Sequence, residues 1–127
     1  MAFPDAVGLV IGYLDGLHAE PVASRVPDPR PDTWIQVRQV GGTWEPPVRD
    51  TARLDVFYWA PDEPTAKTGG MTVRGQIHAL VGTSLSGVQV YRVEESLQRQ
   101  TDDPLTGSPG WWATYAITLR ANDAMRY

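Results

Sequence analysis

Four carboxylates in adjacent pairs, Glu94-Glu95 and Asp102-Asp103, are the residues of this chain whose type best suits acid–base work or a hard cation. Their spacing argues against both uses. Neighbours on a strand point to opposite faces, so Glu94 and Glu95 do not converge. Asp102-Asp103 stands just before Pro104 and reads as turn chemistry. The two histidines, His18 and His78, are sixty residues apart without metal-ligand spacing and read as solvent-facing or helix-end residues. The absence of cysteine excludes disulfides, thiolate catalysis and Cys-based zinc or iron–sulfur sites. No GxGxxG, GxxxxGK[ST] or GxSxG motif is present, so the usual dinucleotide, phosphate-loop and serine-elbow sites are missing. The chain is not read as an enzyme, and no cofactor or metal is expected.

Aromatic residues are the more informative set. Trp34, Trp59 and Trp112 fall on the more polar faces of strand-like stretches, and Trp44 sits in an expected loop. Tryptophan, tyrosine and arginine placed this way suit a protein–protein surface. A nucleic-acid grip is not indicated: the formal net charge is −4, the positive charges are scattered arginines, and Lys67 is the single lysine.

The elements that must position these side chains follow from periodicity. The 127 residues suit one domain, 1–127, with 42% hydrophobic and 20% charged content typical of a folded chain. No apolar run approaches the roughly 18 residues of a membrane span. The start, with Asp5 and Asp15 and no basic leader, reads as mature chain made in the cytoplasm. Ala6, Leu9, Tyr13 and Leu17 predict a helix of about four turns, opened by Pro4-Asp5 and ended by Pro21. Pro21–Val26 is a short strand. Residues 33–40 form a half-exposed strand that Gly41-Gly42 breaks, with 43–50 a loop or long hairpin connection.

A strand over 52–60 puts Leu54, Val56 and Tyr58 on one face. Pro61-Asp62 opens a second helix, striped by Ala66, Gly70, Val73, Ile77 and Leu80, that its glycines leave dependent on tertiary packing. Strands over 88–96 and 111–121 flank a polar, loop-like stretch at 97–110. The sum is an α+β fold: one mixed or antiparallel sheet with two helices packed on one face.

Between the first two strands, Pro27, Pro29 and Pro31 alternate in "SRVPDPRPDTW". Each fixes φ and removes a backbone donor, so the segment is expected to be a stiff arm along a sheet edge, blocking strand addition there.

Five segments in order, "FPDAVGLVIGYL", "VASRVPDPRPDTWIQVRQVGG", "ARLDVFYWA", "VYRVEES" and "DPLTGSPGWWATYAITLR", resemble the tail terminator proteins of long-tailed, non-contractile phages, especially those of actinobacterial hosts. The likeness covers Phe3 to Arg120. It implies a structural virion protein that forms a six-membered ring at the head-proximal end of the tail tube. Its partners would be copies of itself, the tail tube protein and the head–tail connector protein. Six copies at −4 each would put about −24 around the channel, so DNA would slide through without being gripped. The expected interface residues are Pro27, Pro29, Pro31, Trp34, Trp44, Arg49, Trp59, Arg99, Asp102, Asp103 and Trp112, with loops 97–110 and 43–50 docking on the tube or connector. Two alternatives stand beside this: a neck or head-completion protein of the same virion, and a small ligand-binding α+β module.

Overall fold

The structure is a computed structural model that describes residues 3–121; residues 1–2 and 122–127 of the expected 1–127 domain lie outside it. In chain order the elements are α1 (Ala6–Asp15), β1 (Val22–Ala23), β2 (Trp34–Glu45), β3 (Arg49–Trp59), α2 (Glu63–His78), β4 (Ser84–Leu85), β5 (Val88–Asp102) and β6 (Pro109–Arg120). The fold is α+β, with one six-stranded sheet ordered β1-β2-β3-β6-β5-β4. The sheet is mixed: β1 and β2 are parallel, and the remaining pairs are antiparallel.

Both helices begin on an aspartate cap. Asp5 accepts a bond from the Gly8 amide at 3.1 Å, and Asp62 one from Thr65 at 2.9 Å. α1 departs from its expected form. It stops at Asp15, well before Pro21, and its buried stripe is Ala6, Val10 and Leu14. Tyr13 is rotated toward the stripe's border, where its hydroxyl donates to the Gln76 carbonyl of α2 at 2.9 Å, and Leu17 is left exposed. α2 follows its expected stripe, burying Ala66, Gly70, Val73 and Ile77, with Leu80 buried just beyond its end. Two of its glycines are packing requirements: a Cβ at Gly69 would enter the Tyr58 ring, and one at Gly70 would enter Trp111. The helix backbone therefore sits close on the sheet.

The strands run further than local patterning suggests. Gly41-Gly42 does not end β2; a bulge between Gln39 and Gly41 absorbs the irregularity, and pairing continues to Glu45 opposite Arg49. The expected loop at 97–110 is largely strand, because β5 pairs with β6 as far as Asp102 opposite Pro109. Only 103–108 turns. The polar side chains of this extension hid its alternation, since they lie against aromatic neighbours: Gln98 accepts a bond from the Trp111 indole at 3.1 Å. The expected strand Pro21–Val26 shrinks to Val22–Ala23, and β4 had no counterpart in the sequence reading.

The core joins Val10 and Leu14 of α1 and Val73 and Ile77 of α2 to Val37, Leu54, Val56, Tyr115 and Ile117 of the sheet. Leu54, Val56 and Tyr58 alternate inward along β3, as do Ala113, Tyr115, Ile117 and Leu119 along β6.

Candidate protein–protein interface

The side chains alternating away from that core make a second, aromatic cluster. Trp34 pairs with Trp59 across β2 and β3, and Phe57 pairs with Trp112 across β3 and β6. Phe57 stacks on both Trp59 (5.2 Å, 8° between planes) and Trp112 (5.7 Å, 18°). The Trp59 indole donates to Gln36 at 3.1 Å, and the Gln36 amide donates to the Ser24 carbonyl at 3.1 Å. Farther along this face, Thr114 bonds Asp55 at 2.6 Å and Thr51 meets Thr118 at 2.8 Å.

The proline segment closes one end of the cluster. Beyond Ala23 it no longer pairs as a strand, although Ser24, Arg25 and Val26 still line a groove with Gln36 and Arg38 of β2, and it bends at 24–25, 28–29 and 32–33. Arg30, between Pro29 and Pro31, lies 5.8 Å from the Trp34 ring centre and 5.9 Å from that of Trp59. Its guanidinium also reaches Asp103 at 3.0 Å. The prolines add no strand pairing at that edge, where only Val22 and Ala23 pair, as residues without backbone donors must. One expectation is corrected. Trp34 and Trp59, at 0% and 6% exposure, are buried inside the subunit rather than displayed. Trp112 is half-buried, and its indole N–H, like that of Trp34, has no hydrogen-bond partner among the described residues. Each such buried donor costs about 1–3 kcal/mol.

Asp103 organises the β5–β6 turn. Its carboxylate accepts the amides of Leu105 (2.8 Å) and Thr106 (3.4 Å), its own amide donates to the Ser108 carbonyl, and its carbonyl accepts from Gly107. Burial opposes ionisation of this carboxyl, but those amides and Arg30 outweigh it and hold it below the usual aspartate range. The turn is closely bonded, and it carries Leu105 at 94% exposure. Arg99 and Asp102 are exposed at the same end of β5, as is Pro29, while Pro27 and Pro31 are half-buried.

Trp44 and Arg49 stand at the other end of the sheet. Trp44 is 47% exposed and packs edge-on against Phe3 at 5.6 Å. Arg49 lies 4.8 Å from the Tyr91 ring centre. The expected interface residues therefore divide into two groups, one around the proline arm and one at the β2–β3 turn. Arg30 and Phe57 were not among the expected interface residues, whereas Leu105 lies within the 97–110 stretch expected to dock. Phe57 was within reach, since it alternates in phase with Trp59.

The groups that could do chemistry are occupied with one another. Glu20 accepts a short hydrogen bond from the Tyr58 hydroxyl and lies 3.2 Å from His18, whose other ring nitrogen is 2.6 Å from Gln76. Burial opposes ionisation of Glu20, yet Tyr58 and His18 hold its carboxyl below the usual range; burial and Glu20 push the Tyr58 hydroxyl up. These residues, with Thr65, Thr68 and Thr72, line an open cleft of about 460 Å³. Glu95 takes a two-pronged bond from Arg74 (2.9 and 3.0 Å) and lies 3.1 Å from His78. Glu94 points to the opposite side and pairs with Arg92 at 3.5 Å, so the two carboxylates do not converge. Among the described residues no group of three or more His, Asp or Glu is arranged to hold a metal, and no helix is long and apolar enough to cross a membrane. No protein-family model matches the chain, and no curated protein matches it.

Proposed function

We propose that this chain is a structural phage virion protein, a tail terminator whose copies form a hexameric ring at the head-proximal end of the tail tube. The ring stops tube polymerisation and presents the surface that joins tail to head, without catalysis. The observation that carries this reading is the ordered set of five segments from Phe3 to Arg120 resembling that family. The α+β fold is compatible with it, and the packing of both helices on one sheet face belongs to the proposal. It is supported by the shared core of Val10, Leu14, Val73 and Ile77 and by the Tyr13–Gln76 bond between the helices.

In this reading the ordered β5–β6 turn with Leu105, and the β2–β3 turn with Trp44 and Arg49, dock on the tail tube or the head connector. DNA passes through a ring whose net charge discourages gripping. Electron microscopy of the purified protein tests the ring, and complementation of a phage lacking its terminator tests the role. Rings and tails of normal length support the proposal. Failure to form rings together with failure to restore normal tails overturns it, and rescue of a head-completion defect instead would point to the neck. The cleft at His18, Glu20 and Tyr58 favours a second reading, a ligand-binding module. A ligand-dependent rise in melting temperature, lost in Tyr58→Phe, would select it.

A further inference from the structure

The sheet has two long unpaired edges, and their free stretches lie at the same level of its ladder. β1 covers the outer side of β2 only at Ile35 and Gln36. β4 and the Val90–Thr83 bond cover the outer side of β5 only as far as Val90. Among the described residues, no strand flanks β2 from Arg38 to Glu45 or β5 from Tyr91 to Asp102. The pairings connect the two edges directly. Gly41, Arg53, Ala116 and Glu94 form one row, and Thr43, Thr51, Thr118 and Arg92 another. The unbulged runs Gly41–Thr43 and Arg92–Glu94 thus face outward on opposite sides at equal height. Successive antiparallel pairings also make β2 and β5 run in opposite directions.

Residues 24–26 flank the β2 edge as far as Arg38, and beyond it the edge is poorly defended against another strand. Exposed edges are usually blunted by lysine, proline, bulges or a covering segment. Here one bulge precedes Gly41, while Val40 and Trp44 are about half exposed on the edge itself. Packing inside the subunit does not require glycine at 41, because a Cβ there would meet nothing nearer than the Arg53 Cβ at 4.0 Å. Glycine within a strand often marks the close approach of another backbone. Arg25 and Arg38, flanking this edge, make no ion pair among the described residues. Arg38 shares a row with Thr114, and Glu94 shares one with Ala116, so by alternation they occupy the same face.

We infer that the β2 edge of one copy receives the β5 edge of the next, in antiparallel pairing that continues the sheet from subunit to subunit. The occupant is a second copy of this chain, because its own opposite edge matches in direction, level and face. The contact is heterologous, joining two different surfaces, so it repeats around a ring when the rotation per copy closes. Arg38, level with Leu97 on these rows, then reaches along the shared face toward Glu94, which in the single subunit pairs with Arg92. This rests on the ring reading and names the surface through which the ring is made.

The chain's lack of cysteine gives a clean background for crosslinking. Val40→Cys combined with Glu94→Cys, treated with a short bismaleimide at concentrations where sedimentation detects multimers, is expected to yield a covalent ladder. Either single variant, and the control pair Met71→Cys with Val81→Cys, is expected to yield none. By sedimentation, Arg38→Glu should weaken association several-fold, and adding Glu94→Arg should restore it. Multimers that form without an edge-specific ladder would overturn this surface and leave the ring reading standing. A monomer at every concentration would overturn this surface, and together with failure to restore normal tails it would overturn the ring reading as well.

Discussion

Arg30 and Asp103 close the subunit on itself: a guanidinium held among prolines lies 3.0 Å from the carboxylate that organises the β5–β6 turn. The same guanidinium lies over Trp34 and Trp59, so the arm, the buried tryptophans and the turn form one unit. The segment that in sequence reads as a stiff arm thus also braces the subunit internally.

Breaking that brace should be measurable. Arg30→Ala removes a charge-assisted bond and the cover over two indoles, and is expected to cost about 1–2 kcal/mol. Asp103→Asn should cost a similar amount, since it weakens both the ion pair and the turn. Urea unfolding gives the cost, and tryptophan emission should shift to the red as Trp34 and Trp59 gain water. Unchanged emission and midpoint in both variants would show that the arm adds nothing to the fold.

Acid should destabilise the subunit through a few identifiable carboxylates. Glu20, Glu95 and Asp103 are all held below their ordinary values of 4.5, 4.5 and 3.8. A group depressed in the folded state contributes stability above its unfolded pKa and loses it as pH falls through the folded value. Stability should therefore decline from about pH 4.5 downward. Asp50, raised by burial, works in the opposite direction. Glu95→Gln should be less stable than the parent at neutral pH and should flatten the acid limb. An acid limb unaltered by Glu95→Gln would remove the Arg74–Glu95–His78 group from this account.

Two glycines of α2 should respond with opposite sign. Gly70→Ala places a methyl group in the Trp111 ring and is expected to cost about 3 kcal/mol. Gly75, exposed with nothing within 4 Å of a Cβ, should gain roughly 0.5–1 kcal/mol as alanine from helix propensity alone. Thermal melts of the two variants check both signs, and equal effects would contradict the close seating of the helix.

Leu105 separates folding from docking. Its side chain is almost wholly exposed on a bonded turn, so Leu105→Ser should change stability by less than about 0.5 kcal/mol. Under the proposed function it should nevertheless impair tail termination or head joining, as should replacing 103–108 with a two-residue Asn-Gly turn. Infectious particles completed at normal yield by both variants would show that the turn is dispensable.

Much of the architecture was legible locally. Alternation of Leu54, Val56 and Tyr58, and of Ala113 through Leu119, marks which sides of β3 and β6 enter the core, because side chains on a strand alternate whatever surrounds them. The stripe from Ala66 to Ile77 marks the buried side of α2 for the equivalent helical reason. The missing cysteines and motifs are likewise properties of the chain alone. The rest depended on residues distant in sequence. Trp34 and Trp59 looked exposed because their strand faces are polar, but Phe57 stacks on Trp59 and Arg30 of the folded-back arm lies near both rings. The stretch after Leu97 looked like loop until β6 supplied partners for its backbone. Which parts of β2 and β5 remain unpaired was decided by where the short strands β1 and β4 land, and non-local pairing of that kind leaves no periodic trace along the chain.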